Sequence, residues 1–143
     1  MIFYKKTNSN AITPTKGSKY AAGYDLYACI SEPEIIMPHS SVMIGTGIAF
    51  EPPVGCFGGV FARSGLAAKK GARPANCVGV IDEDYRGEVK VSLRNDSELP
   101  CTIKPNDRIA QIVFIPYLDN ELVENNELTE TDRGADGFGS TGE

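Results

Sequence analysis

The stretch EVKVSLRN, residues 88–95, alternates apolar Val89, Val91 and Leu93 with polar Lys90, Ser92 and Arg94. A period of two belongs to a strand with one face buried and the other in water, and it fits no helix. The pattern is not isolated. Further β-rich runs, YDLYACI, EIIMP, SVMIGTGIAF, CFGGVFA, NCVGVI, CTIKP and RIAQIVFIPY, are joined by turn chemistry such as EPPVG, KPND and DYRG. Helical periodicity is nearly absent. One short helix fits SGLAAKK, with Ser64 placed to cap it. Many short strands with close-spaced turns predict an all-β, jelly-roll-like barrel or sandwich with one short helix.

A length of 143 residues fits one domain. After Tyr117 the character changes to LDNELVENNELTETD, acidic and polar, and then to a glycine-rich end. The reading is a single domain over 1–143, with a core over about 1–118, a linker over 119–132 and an arm over 133–143. A net charge of −5 opposes coating of nucleic acid or of an anionic membrane, and leaves room for a small anionic ligand held locally. No apolar run approaches the length of a membrane span. The cysteines at 29, 56, 77 and 101 are widely spaced, beside a single histidine, His39, so a zinc site is not expected. MIFYKKTNSN lacks the apolar core of a secretion signal. The expectation is a cytoplasmic protein with reduced, mostly buried thiols.

Three places can carry chemistry. VGVIDEDYRGEVKV, residues 78–91, reads as a hairpin with Asp82, Glu83 and Asp84 at its mouth. A lone DED is more commonly a solvated turn; the alternative makes one carboxylate a general base, with Tyr85 packed on a sugar or base. FARSGLA, residues 61–67, offers a guanidinium, a hydroxyl and exposed N–H groups, which bind phosphate and equally make an ordinary helix start. The third is GADGFGSTG, residues 134–142, preceded by Arg133. Taken alone it reads more readily as a loose tail, but its backbone N–H groups and hydroxyls can cradle phosphate, and Phe138 can stack on a base. Asp25, set between Tyr24 and Leu26 on a strand-like run, must be exposed or paired. His39, in the turn-like MPHSS, reads as a surface histidine.

These pieces line up in order. AGYDLYA (22–28), RSGLA (63–67), NCVGVIDEDYRGE (76–88), DRIAQI (107–112) and RGADGFGSTG (133–142) resemble the five motifs of the trimeric dUTP pyrophosphatases. The resemblance implies a jelly-roll subunit in a three-fold homotrimer with shared active sites. It also implies hydrolysis of dUTP to dUMP and pyrophosphate, lowering dUTP and supplying dUMP for thymidylate synthesis, with Mg²⁺ on the triphosphate. By position, Asp82 matches the carboxylate that activates water, and Tyr85 the residue under the deoxyribose. Asn76, Val80, Ile81 and Lys90 match the uracil pocket. Arg63, Ser64, Gly65 and Gln111 match phosphate contacts, and Arg133, Phe138, Gly139, Ser140 and Thr141 match the closing arm. Asp25 matches a carboxylate near the metal, acting through water. Asn106 and Asp136 stand where the family commonly has glycine. The alternatives are a dCTP deaminase-like relative, for which Leu66, Ala67 and Ala68 supply no deaminating carboxylate, and a nucleotide-sensing regulatory protein.

Overall fold

The computed structural model describes residues 1–137. Among these the chain forms eleven strands and one helix, every strand pair being antiparallel. The central sheet runs in the order β2 (Tyr24–Tyr27), β11 (Arg108–Pro116), β6 (Cys56–Phe61), β8 (Gly79–Ile81). A second sheet has the order β4 (Ser41–Gly45), β9 (Lys90–Asn95), β7 (Ala72–Pro74). Two further pairs, β1 (Phe3–Lys6) with β5 (Ile48–Glu51) and β3 (Glu34–Ile36) with β10 (Cys101–Ile103), complete the jelly-roll-like, all-β architecture. The core between the sheets contains Leu26, Ile36, Ile44, Ile48, Leu93, Ile103, Ile109 and Ile112, all fully buried. In β9 the alternation read from the sequence holds, with Val91 and Leu93 inward and Lys90 outward.

Helix α1 spans Ser64–Lys70, the stretch expected, but its N-cap is Arg63 in extended conformation, with no side-chain cap bond. Ser64 is therefore the first helical residue and its hydroxyl is not used as a cap. SVMIGTGIAF is two strands rather than one. Gly47, at φ +66, turns the corner between β4 and β5, and a Cβ there would lie 2.7 Å from that of Ala11. Thr46 locks the corner by donating its hydroxyl to the Val89 carbonyl at 2.7 Å, while the Glu88 carboxylate accepts from the Gly47 N–H at 2.8 Å.

The hairpin expected over 78–91 is absent: β8 pairs with β6, and β9 pairs with β4 and β7. Residues 82–88 are a corner that carries the chain from one sheet to the other. Val89 donates its N–H to the carbonyl of Ile48 in β5 at 2.8 Å, and the chain joins the second sheet from Lys90, where β9 pairs with β4. Of the thiols, only Cys101 is buried; Cys29 and Cys56 are half-buried and Cys77 is exposed, all four free. Burial raises the thiol pKa of both Cys29 and Cys101, as suits unreactive packing groups. Residues 119–137 are exposed and form no strand or helix. No helix among the described residues is long and apolar enough to cross a membrane.

One buried amide ties the layers together. Asn95, fully buried, donates to the carbonyls of Ile36 and Leu99 and accepts from the N–H and hydroxyl of Ser97. Replacing it by Leu removes that partner from the Ile36 carbonyl and the Ser97 N–H, at about 1–3 kcal/mol for each group left unpaired, while the Ser97 hydroxyl still donates to the Leu99 carbonyl at 3.0 Å. Asn95→Leu is therefore expected to lower unfolding free energy by about 3 kcal/mol, read from urea midpoints at fixed protein concentration. A loss below about 1 kcal/mol would show that the partners find water instead.

Candidate active site

The first cluster forms where β2, β6 and β11 meet. Asp25 lies mid-strand in β2 with its side chain only 11% exposed, and a carboxylate so placed requires paired charge. Arg63, just past the end of β6, donates Nε–H to Oδ1 at 2.8 Å and a terminal N–H to Oδ2 at 3.4 Å. Arg108, at the start of β11, donates to Oδ2 at 3.2 Å. Gln111 stands opposite Asp25 in the ladder and gives its amide N–H to the Ala62 carbonyl at 3.0 Å. Ser64 and Gly65 are exposed at the start of α1, with open space beside Gly65. The structure thus brings Asp25, Arg63, Ser64, Gly65 and Gln111 together and adds Arg108, which the sequence reading passed over inside DRIAQI.

The cluster also bears on a metal. Both Asp25 oxygens already accept guanidinium N–H groups. No group of three or more His, Cys, Asp or Glu side chains among the described residues is placed to hold an ion. The described residues therefore form no dedicated cation cage, and a Mg²⁺ ion fits here only if a bound ligand supplies most of its oxygens.

The second cluster surrounds β8, the edge strand of its sheet. An edge strand leaves a row of main-chain N–H and C=O groups free to read a planar ligand. Val80 and Tyr85 are exposed beside it. The Tyr85 ring lies so close over Gly87 that any Cβ there would collide with it, and its hydroxyl donates to the Glu88 carbonyl at 3.1 Å. Asn76 is exposed and packs its amide near Gly79, while Lys90 sits across the corner with Nζ 4.0 Å from Glu88.

The three carboxylates of DED divide their tasks. Glu83 is a structural pin that accepts from the Gly55 N–H at 2.7 Å and from the Tyr117 hydroxyl at 3.2 Å. Asp82 and Asp84 are exposed and make no side-chain hydrogen bond among the described residues. With Phe57, Val80 and Asp119 they line an open groove of about 840 Å³.

Asp82 and Arg63 do not meet within one chain. Ile81 pairs with Gly58, so Asp82 lies beyond Gly58 toward the beginning of β6, whereas Arg63 follows its end. The intervening backbone spans roughly 16–20 Å at about 3.3 Å per residue. Arg133 stands apart in an exposed turn, its Nε–H on the Asp136 carbonyl at 3.0 Å. Phe138, Gly139, Ser140 and Thr141 lie outside the described residues.

A family model described as dUTPase matches residues 9–142. The deoxyuridine 5'-triphosphate nucleotidohydrolase of Nautilia profundicola is 48% identical over 138 residues, covering 96% of each chain. The enzyme of the same name from a Hydrogenobaculum species is 44% identical over 141 residues, covering 99% of this chain and 97% of that one. Among solved structures, the dUTPase of Staphylococcus bacteriophage 80alpha with dUPNHPP aligns with a TM-score of 0.86 at 26% identity, over 99% of this chain and 98% of that chain.

The pin at Glu83 has a measurable signature. Its hydrogen bond, then its charge, raises the Tyr117 phenol above the ordinary range, with Asp119 and Asp82 adding to the effect. A raised folded-state value means that the bond's contribution to stability is complete below about pH 10 and is lost as pH rises through the raised value. Ultraviolet titration of phenolate is expected to show a late step that vanishes in Tyr117→Phe and moves to lower pH in Glu83→Gln. A titration curve unchanged by Glu83→Gln would remove the pin.

Proposed function

The chain belongs to the dUTPase family and is a dUTP-hydrolysing enzyme, and we propose that it works through an Asp82-activated water in a site shared among three copies of the chain. The water oxygen attacks the α-phosphorus in line with the bridge to the β-phosphate. Its proton passes to the Asp82 carboxylate, the P–O bridge breaks and pyrophosphate leaves, giving dUMP. Asp82 suits a base because its carboxylate stands exposed while its neighbour Glu83 does the structural holding.

The base end is read by main chain. The free edge of β8, through Val80 and Ile81, offers uracil fixed donors and acceptors, with Asn76 and Lys90 flanking. Cytosine would leave buried groups unpaired, which discriminates far better than a missing methyl group does. Tyr85, fixed over Gly87, packs under the deoxyribose and leaves no room for a 2′-hydroxyl. Arg63, Ser64, Gly65 and Gln111 hold the phosphates. Arg133, Phe138, Gly139, Ser140 and Thr141 form the arm that closes over bound nucleotide. When bound, Mg²⁺ supplies countercharge on the triphosphate, held by phosphate oxygens and, through water, by Asp25.

The observation that carries the shared-site reading is the separation of Asp82 from Arg63, which lie toward opposite ends of β6. One chain cannot set Asp82 and Arg63 on the same phosphorus, but a head-to-tail ring of copies can. Leu122, Val123 and Leu128, apolar and exposed in a single chain, supply a segment able to seat on a neighbour.

Pyrophosphate release with dUTP, dCTP, dTTP and UTP, with and without Mg²⁺, tests the chemistry. Strong preference for dUTP is expected, with Asp82→Asn slowing turnover about 10²–10⁴-fold; near-normal turnover in that variant would exclude Asp82 as the base. Complementation tests the assembly. Asp82→Asn and Arg63→Gln, each inactive alone, are expected to recover roughly a quarter of wild-type activity when co-assembled one to one. No recovery in mixed trimers would place both residues in one chain's site.

A further inference from the structure

Gln111 faces Asp25 directly across the β2–β11 ladder, so the two side chains share one face of the sheet. In an unbroken strand the next residue of β11 on that face would be Ile109, and Arg108 would point the other way. The ladder is broken at this point. Ala110 pairs with Leu26 and Arg108 with Tyr27, leaving Ile109 as the extra residue of a bulge. Ile109 and Ala110 are both fully buried, two consecutive inward residues such as a regular strand does not have. One inserted residue inverts the parity of what precedes it. Arg108 is thereby turned onto the face of Tyr27, Asp25 and Gln111, and its contact with Asp25 at 3.2 Å follows.

The cluster this produces is unbalanced in charge. Two guanidiniums share one carboxylate, leaving a surplus of one positive charge. Asp25 is 11% exposed, Arg63 24% and Arg108 50%, so the surplus faces outward. Three guanidinium donors are taken up by Asp25, out of five N–H groups on each arginine. A pair of arginines held by one buried carboxylate, with donors to spare at the surface, is arranged to receive an anion with several oxygens.

We propose that Arg108 is a second guanidinium on the triphosphate, beside Arg63, and that Asp25 is the positioning residue that holds both arginines. This rests on the reading of Arg63, Ser64 and Gln111 as phosphate contacts, and it assigns the bulge in β11 a purpose. Asp25 then acts through the arginines, whether or not a metal-bound water also reaches it.

The test uses the full chain and two probes, the non-hydrolysable imido analogue dUpNHpp and deoxyuridine, together with steady-state kinetics on dUTP. Arg108→Gln is expected to weaken dUpNHpp binding roughly tenfold to a hundredfold and to raise KM more than it lowers kcat. Its deoxyuridine affinity should stay as in the wild type. Arg108→Lys keeps the charge but loses the planar fork, and recovers part of the loss. Asp25→Asn should weaken dUpNHpp, and adding Arg108→Gln to it should cost less than Arg108→Gln does alone, because the pair acts as a unit. Unchanged dUpNHpp affinity in Arg108→Gln, or equal losses for both probes, overturns the proposal; if that variant does not fold, Arg108→Lys is judged by the same two affinities. Arg63→Gln separates the layers. If it also leaves dUpNHpp affinity intact, the underlying phosphate reading falls, whereas a loss with Arg63→Gln and none at position 108 sinks only the role of Arg108.

Discussion

Everything that can do chemistry in the first cluster hangs from the pairing of β11 with a strand on each side. β11 is nine residues long and is bonded to β2 along one edge and to β6 along the other. Double pairing leaves the strand no freedom to slip, since a shift of one residue would send Ile112 and Ala110 outward and Gln111 into the core. The apolar face therefore fixes the polar one. Once Leu26, Ala110 and Ile112 are buried, Asp25 and Gln111 must stand together on the opposite face, and the turn after β6 brings Arg63 to them.

The same frame resolves an electrostatic problem. An enzyme of net charge −5 must hold a triphosphate, and its candidate base lies in a groove lined by Asp82, Glu83, Asp84 and Asp119. That groove repels phosphate. Its carboxylates suit activation of a water beside the α-phosphate, and they leave the countercharge for the rest of the triphosphate to be supplied from elsewhere. The surplus positive charge sits at the far end of β6, around Arg63 and Arg108. Separating the two along a rigid strand keeps the arginines from being neutralised by the DED carboxylates within one chain.

Much of the fold is legible in the sequence because burial imposes a period. EVKVSLRN shows it, and SGLAAKK marks the helix, though with Arg63 rather than Ser64 at its cap. β1 escapes notice because all four of its residues are exposed, so no alternation exists to read; it is held by pairing with β5. β7 is three residues ending in Pro74, too short for any period. The false hairpin has a different cause. Turn chemistry at DYRG shows where the chain bends but not which strand the next segment will join, and β4 and β7 claim that segment for the other sheet. In RIAQIVFIP the bulge is hidden by a near-continuous apolar run; Gln111 is matched only through the family motif, and nothing in the run shows that Arg108 turns to the same face. The motifs locate the site residues one by one; that Asp82 and Arg63 stand toward opposite ends of β6 depends on strand pairing that no local pattern contains.

The turn that launches β11 shows how a departure from the family pattern is absorbed. Asn106 stands where the family commonly has glycine and adopts φ +68, the left-handed region. Asparagine is among the few residues that enter this region at small cost. Its N–H donates to the Ala28 carbonyl at 2.9 Å, and the Asp107 carbonyl accepts from the Ala28 N–H at 2.8 Å, so the turn is clamped to the end of β2 from both sides. The Asp107 carboxylate closes it by accepting from the Lys104 N–H at 2.9 Å. Glycine would relieve residual strain in the folded turn but would enlarge the entropy of the unfolded chain, and the two effects oppose each other at about 1 kcal/mol or less. The position therefore requires a backbone conformation, not a particular residue, and what it secures is the entry angle of Arg108 into the bulge.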